Sequence, residues 1–201
     1  MFKNKKNLQG GFSLIEISIV VFFTIILTSV TVYNYRNFDN MVELKNQALE
    51  IALTIREAQV NALSSRGTDV SDPGTFRYSY GVFFDKANHD SSYMFFVNKD
   101  DDDPATKFWF DDLSWDCAGN ECIKKHDLRT GYTITDICIP EGTCGVETDV
   151  SISFKRPDPE AIIRDQNNSS TNLASVEIEL SSPKGATSTI HVTQTGQIYI
   201  E

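Results

Sequence analysis

From Phe12 to Tyr35 the chain is apolar at most positions, and Glu16 is the only charge among these 24 residues. At about 1.5 Å per residue, such a helix spans roughly 36 Å, enough for a bilayer core of about 30 Å. The pattern then changes without a break. Met41, Leu44, Ala48, Ile51, Ile55, Ala58 and Ala62 recur at alternating spacings of three and four, the period of one helix face. Glu43, Asn46, Gln47, Glu50, Thr54, Glu57 and Asn61 fill the opposite side, while Leu49, Leu53, Val60 and Leu63 widen the apolar stripe. Neither Pro nor Gly occurs between Phe12 and Arg66, Gly67 suits a C-terminal cap, and "SDPG" at 71–74 suits a turn. The pattern predicts one helix of about 50 residues, with a transmembrane half at 12–35 and an amphipathic half at 36–66 laid on a domain.

Beyond residue 74 the period becomes two. In "TFRYSYGVFF", Phe76, Tyr78, Tyr80, Val82 and Phe84 alternate with Arg77, Ser79 and Gly81. "YMFFVN" at 93–98 and "KFWF" at 107–110 are shorter strand candidates. "GYTITDICI", "DVSISFKR", "SVEIELSS", "TSTIHVTQ" and "QIYIE" follow, separated by Gly, Pro, Asn or Asp. Thr195-Gly196 joins the last two as a hairpin, and 157–172 reads as a surface loop. Eight short strands and no second long helix predict an α+β fold, with the long helix packed on an antiparallel β-sheet domain at 75–201.

Charge sharpens the membrane reading. The 201 residues carry a net charge of −10, yet residues 1–11 hold Lys3, Lys5 and Lys6 and no acid, which leaves −13 on the remainder. Such acidity argues against a nucleic-acid partner, because phosphate contacts need clustered Lys and Arg. A basic head before an apolar run is retained in the cytoplasm, which places the rest outside the inner membrane on a single-pass anchor. Tyr33, Tyr35 and Phe38 suit an interfacial aromatic belt, and Arg36 stops the span. A secretory signal would show a shorter apolar core with its cleavage site after it. Here the small pair Gly10-Gly11 precedes the run, so a cut there leaves the anchor on the chain.

The chemistry-bearing residues are sparse. Cys117, Cys122, Cys138 and Cys144 fall outside the cytoplasm in this topology, where thiols oxidise, so two disulfides are expected. The close pairs Cys117–Cys122 and Cys138–Cys144 are simplest, although four cysteines allow three connectivities. Closing a loop of this size contributes roughly 2 kcal/mol in the chain-entropy view. Zinc is the rival, but the gaps of four and five residues differ from a C-x2-C knuckle. Asp100, Asp101, Asp102 and Asp103, followed by Asp111, Asp112 and Asp116, are weak calcium candidates. Their spacing lacks the D-x-D-x-D-G pattern, and a solvated acidic loop is the plainer reading. His89, His126 and His191 stand in separate segments, and no nucleophile elbow, P-loop or dinucleotide fingerprint occurs. No enzymatic activity and no cofactor are expected. Asn167 and Asn168 match N-x-[ST].

With its basic leader, "GGFSLIE" at 10–16 resembles the class III signal of type IV pilins and type II secretion pseudopilins. The resemblance covers roughly the first quarter of the chain. It implies cleavage by a prepilin peptidase after Gly11 and N-methylation of the new terminus at Phe12, with 1–11 as the leader. It also implies an assembly role for Glu16, the fifth residue after the cut. The implied partners are other pilin or pseudopilin subunits, the peptidase, an inner-membrane assembly platform and membrane lipid. The family's long helix under an antiparallel sheet agrees with the pattern read above. The strand order and the ending "TSTIHVTQTGQIYI" look most like FimT-type minor pilins or H-type pseudopilins. Tyr33 stands at about the place where many pilins carry a proline. Physics supplies a reason for the spacing. Cleavage creates a positive amine at the helix start, and in a staggered stack it meets a neighbour's Glu16 where lipid satisfies neither charge. A carboxylate snorkelling to the headgroups is the plainer account of Glu16. A membrane-anchored periplasmic binding module that does not polymerise is the alternative function.

Overall fold

The computed structural model describes residues 11–64, 78–99, 108–110, 115–139, 143–145, 149–165 and 172–201, with the side chains of 34–37 left aside. One helix, α1 (Leu14–Leu63), runs for 50 residues, in agreement with the pattern. Ten strands follow: β1 (Ser79–Asp85), β2 (Ser92–Asn98), β3 (Cys122–Asp127), β4 (Thr133–Ile139), β5 (Thr143–Cys144), β6 (Asp149–Phe154), β7 (Ala161–Asp165), β8 (Ser175–Ser181), β9 (Thr187–Thr193) and β10 (Ile198–Ile200). They form two sheets of five, in the orders β3-β2-β1-β6-β7 and β10-β9-β8-β4-β5, and every pairing is antiparallel. The fold is thus α+β, with two sheets where the alternation predicted one.

The chain divides into two compact units at Asp39/Asn40. In the second, Leu44, Ala48, Ile51, Ile55, Ala58 and Ala62 of α1 are buried in one core with alternate residues of both sheets, among them Val82, Phe84, Ile152, Ile178 and Ile190. Four alanines of α1 in that core, Ala48, Ala52, Ala58 and Ala62, let the helix backbone approach closely, and polar contacts fix its height. Arg129 Nη1 meets Glu43 at 2.9 Å, Gln47 Oε1 accepts from the Arg129 amide, and Thr54 Oγ1 bonds the Tyr93 hydroxyl. Gln59 Nε2 donates to the Pro159 carbonyl. The core stripe is narrower than predicted. Met41, Leu49, Leu53, Val60 and Leu63 are exposed, whereas Thr54 and Asn61, assigned to the polar side, are buried. Thr54 is accommodated because its hydroxyl also bonds the Glu50 carbonyl.

Four strand assignments change, one of them the two-residue β5, which the pattern did not predict. Residues 157–172 hold β7, whose alternation Ala161, Ile163, Asp165 is buried while Ile162 and Arg164 are only partly so. β3 was hidden by the polar stretch "CIKKHD", yet it pairs with β2 across a bulge at Ile123. Residues 108–110 are not a strand; Phe108 adopts a left-handed backbone with φ 68°. The Thr195-Gly196 hairpin forms as expected, with Gly196 at φ 80°. Gly67, the 71–74 turn and Asn167/Asn168 lie outside the described residues.

β1 and β2 are buried along both faces, which alternation alone did not anticipate. The face turned away from α1 carries Phe83, Met94 and Phe96, and Phe110, Trp109 and Trp115 cover it. Gly81 is required there. A Cβ would stand 2.7 Å from the Phe96 ring and from the Ile152 carbonyl.

Candidate functional site

The segment that the sequence singles out begins at Gly11, where a Cβ would meet nothing within 4 Å, and at the exposed Phe12. α1 starts at Leu14, and the Ser13 carbonyl accepts from the amides of Glu16 and Ile17. Glu16 therefore occupies the first turn, where the positive end of the helix dipole favours a carboxylate. From Phe12 to Tyr33 every large apolar side chain is exposed. By length and composition α1 is able to cross a membrane, consistent with a single-pass anchor. Lys3, Lys5, Lys6 and Gly10 lie outside the described residues.

The hydroxyls of Ser18, Thr24, Thr28, Ser29 and Thr31 are satisfied from within the helix. Ser18 bonds the Ile15 carbonyl, Thr24 those of Val20 and Val21, Thr28 those of Thr24 and Ile25, Ser29 that of Ile25, and Thr31 those of Leu27 and Thr28. These are all the Ser and Thr residues between Leu14 and Tyr33. Such back-bonding suits apolar surroundings, where an unmet hydroxyl is costly.

The cysteines pair as the close couples Cys117–Cys122 and Cys138–Cys144. Paired in this way the sulphurs are oxidised, whereas zinc is ligated by thiolates. Asp136 lies near the second disulfide, but Lys86 Nζ already engages its carboxylate at 2.7 Å, tying the end of β1 to β4. That hydrogen bond, ahead of other contributions, holds the Asp136 carboxyl below its ordinary range. Of the calcium candidates, Asp100, Asp101, Asp102, Asp103, Asp111 and Asp112 lie outside the described residues. Asp116 Oδ1 accepts from the Ala118 amide.

The covering layer of the first sheet was not foreseen. Its signal was the aromatic density of 108–115. Asn98 Nδ2 donates to the Trp109 carbonyl, Ser151 Oγ to the Phe108 carbonyl, and Trp115 Nε1 to Ser92 Oγ. Both sulphurs of Cys117–Cys122 rest against buried Met94. His89 stacks on Trp115 with centroids 3.9 Å apart, and its Nδ1 meets Asp85 Oδ2 at 2.8 Å. Burial pushes the Asp85 carboxyl up, but hydrogen bonds from His89 and Asn88 outweigh it and hold the group low. The other two histidines repeat the arrangement on separate elements. His126 stacks on Tyr93 beside Glu50, and His191 stacks on Tyr199 beside Glu177. The structure does not bring the three together. No nucleophile is placed against any of them in the contacts of the described residues.

Compared with family models, curated proteins and solved structures, the chain matches none.

Proposed function

We propose that this chain is a structural subunit of a membrane-derived helical filament, a minor pilin or pseudopilin, cut after Gly11 and methylated at Phe12. The observation that carries the reading is one carboxylate, Glu16, in the first turn of α1, which is otherwise uncharged and exposed as far as Tyr33, directly after Gly11-Phe12. A new amine at Phe12 would lie about one turn from Glu16 of its own chain. In a staggered neighbour the two charges meet and relieve each other in low dielectric. Met41, Val42, Leu49, Leu53 and Val60, exposed on the amphipathic half, give neighbouring helices further apolar surface to bury. The inner membrane is the expected store before assembly, because the basic stretch before Gly11 favours the cytoplasmic side.

Two measurements test this. Mass spectrometry of the chain from membranes should find N-methyl-Phe12 at its start; a chain retaining Met1 overturns the processing. Glu16→Ala should leave the chain in the membrane but remove it from sheared filaments or block secretion. Unchanged incorporation makes the chain an anchored binding module instead.

A further inference from the structure

Each sheet has two edges, and the four are finished differently. β7 is covered: the Asn172 side chain accepts from the Ile163 amide at 2.7 Å and donates to the Ala161 carbonyl, and the Leu173 amide donates to the Ile163 carbonyl. β5 has two residues and is held by the Cys138–Cys144 disulfide. The remaining edges are β3 and β10, whose backbone pairings within the described residues run inward, to β2 and β9. Beyond α1, the described residues expose two large apolar side chains, Ile123 at 42 % and Tyr199 at 47 %. One lies on each of these two edges. β3 carries lysines and a bulge and β10 is short, which limit casual strand addition, yet within the described residues each edge presents an exposed apolar side chain that an added strand would cover.

The charges beside these residues are opposite. Lys124 and Lys125 follow Ile123 on β3, with Lys125 Nζ 3.1 Å from Asp127. Glu201 follows β10, and Glu177 stands on β8 beside His191, the ring that supports Tyr199 from one side. The bulge turns Ile123 out of the β2 register and leaves Lys124–Asp127 as the regular part of the edge, comparable in length to Ile198–Ile200.

We infer that β10 of one copy of this chain adds parallel to β3 of the next, with Tyr199 against Ile123 and Glu201 facing Lys125. The contact is heterologous, using a different surface on each copy, and such contacts propagate into open rows. Strands this short pair weakly alone. The contact therefore acts between copies already held side by side, where effective concentration is high, and so rests on the subunit reading of α1.

The test places a photo-crosslinking amino acid at position 123 or, in a separate chain, at position 42 on the exposed helix face, using the full-length protein in its membrane. Position 123 should cross-link to a second copy, at the peptide containing Tyr199. Cross-linking from position 42 with none from position 123, or with attachment of 123 elsewhere, overturns the edge pairing and leaves the subunit reading intact. Silence from both positions removes the two together. Lys125→Glu should cut the yield from position 123 about two- to five-fold, as expected for exposed charge pairs, and adding Glu201→Lys should restore it. An unchanged yield in the lysine variant overturns the charge pairing.

Discussion

The side-chain amide of Gln59 on α1 donates to the carbonyl of Pro159, 100 residues away, at 2.8 Å. Arg56 reaches the Gln59 Oε1 from the preceding turn. The tip of the β9–β10 hairpin closes over the same point, because Gly196 lies against both groups. Helix, first sheet and second sheet therefore meet at one polar contact.

Gly196→Ala should break that meeting. A Cβ would stand 2.4 Å from the Pro159 oxygen and 2.7 Å from Gln59 Nε2, on a backbone at φ 80°. Left-handed strain alone costs about 1–3 kcal/mol, and the backbone clash adds to it. Thermal unfolding of the detergent-solubilised chain should show a Tm lower by several degrees. A wild-type Tm would show that the hairpin tip moves aside freely.

Phe83→Ala should loosen the covering layer while leaving the main core in place. The Phe83 ring lies 5.2 Å from Trp109, 5.4 Å from Phe110 and 6.0 Å from Trp115. Truncating a buried Phe costs about 3–5 kcal/mol. Tryptophan emission should shift to the red with the far-ultraviolet spectrum retained, since Trp109 and Trp115 are the only tryptophans.

His126 makes the helix–sheet junction sensitive to acid. Burial first, then Lys124, holds its imidazolium below the ordinary range against the opposing pull of Glu50 and Glu57. The unfolded chain then binds the proton more tightly, so this contribution to stability is present above the ordinary pKa of about 6.5 and is lost as pH falls below it. His126→Gln should narrow the stability difference between about pH 7.5 and about pH 5.5, measured by denaturant unfolding. A wider difference in the variant would mean that Glu50 dominates.

Asn172→Ala should open the β7 edge. Two bonds to the strand backbone disappear, each unmet buried group costing about 1–3 kcal/mol. The Ile163 amide should exchange with solvent faster by an order of magnitude or more, read by hydrogen exchange. Exchange at the wild-type rate would show that Leu173 alone seals the edge.

The helix was legible because its signal is long and periodic. Leu44, Ala48, Ile51, Ile55, Ala58 and Ala62 announce a buried face, and the face is where they place it. Sheets were less so. Strands such as Thr187–Thr193 alternate cleanly because one side meets solvent, but Ser79–Asp85 is covered on both sides, and the second cover comes from Trp109, Phe110 and Trp115, far along the chain. β3 escaped because lysines on an edge look like a loop in sequence, and β7 because Arg164 and Asp165 mask its apolar pair. The disulfide partners could be ranked by spacing, yet only three-dimensional proximity selects one connectivity. Glu16 was visible because a lone charge in an apolar run has no background to hide in.

The inward-turned hydroxyls of α1 have a consequence for which surroundings the segment tolerates. Ser18, Thr24, Thr28, Ser29 and Thr31 carry their acceptors with them, so moving the segment between lipid tails and a protein-walled interior exchanges none of those bonds. Such a helix is indifferent to which oily host surrounds it. The carboxylate of Glu16 is the one charged group there that can tell the two hosts apart.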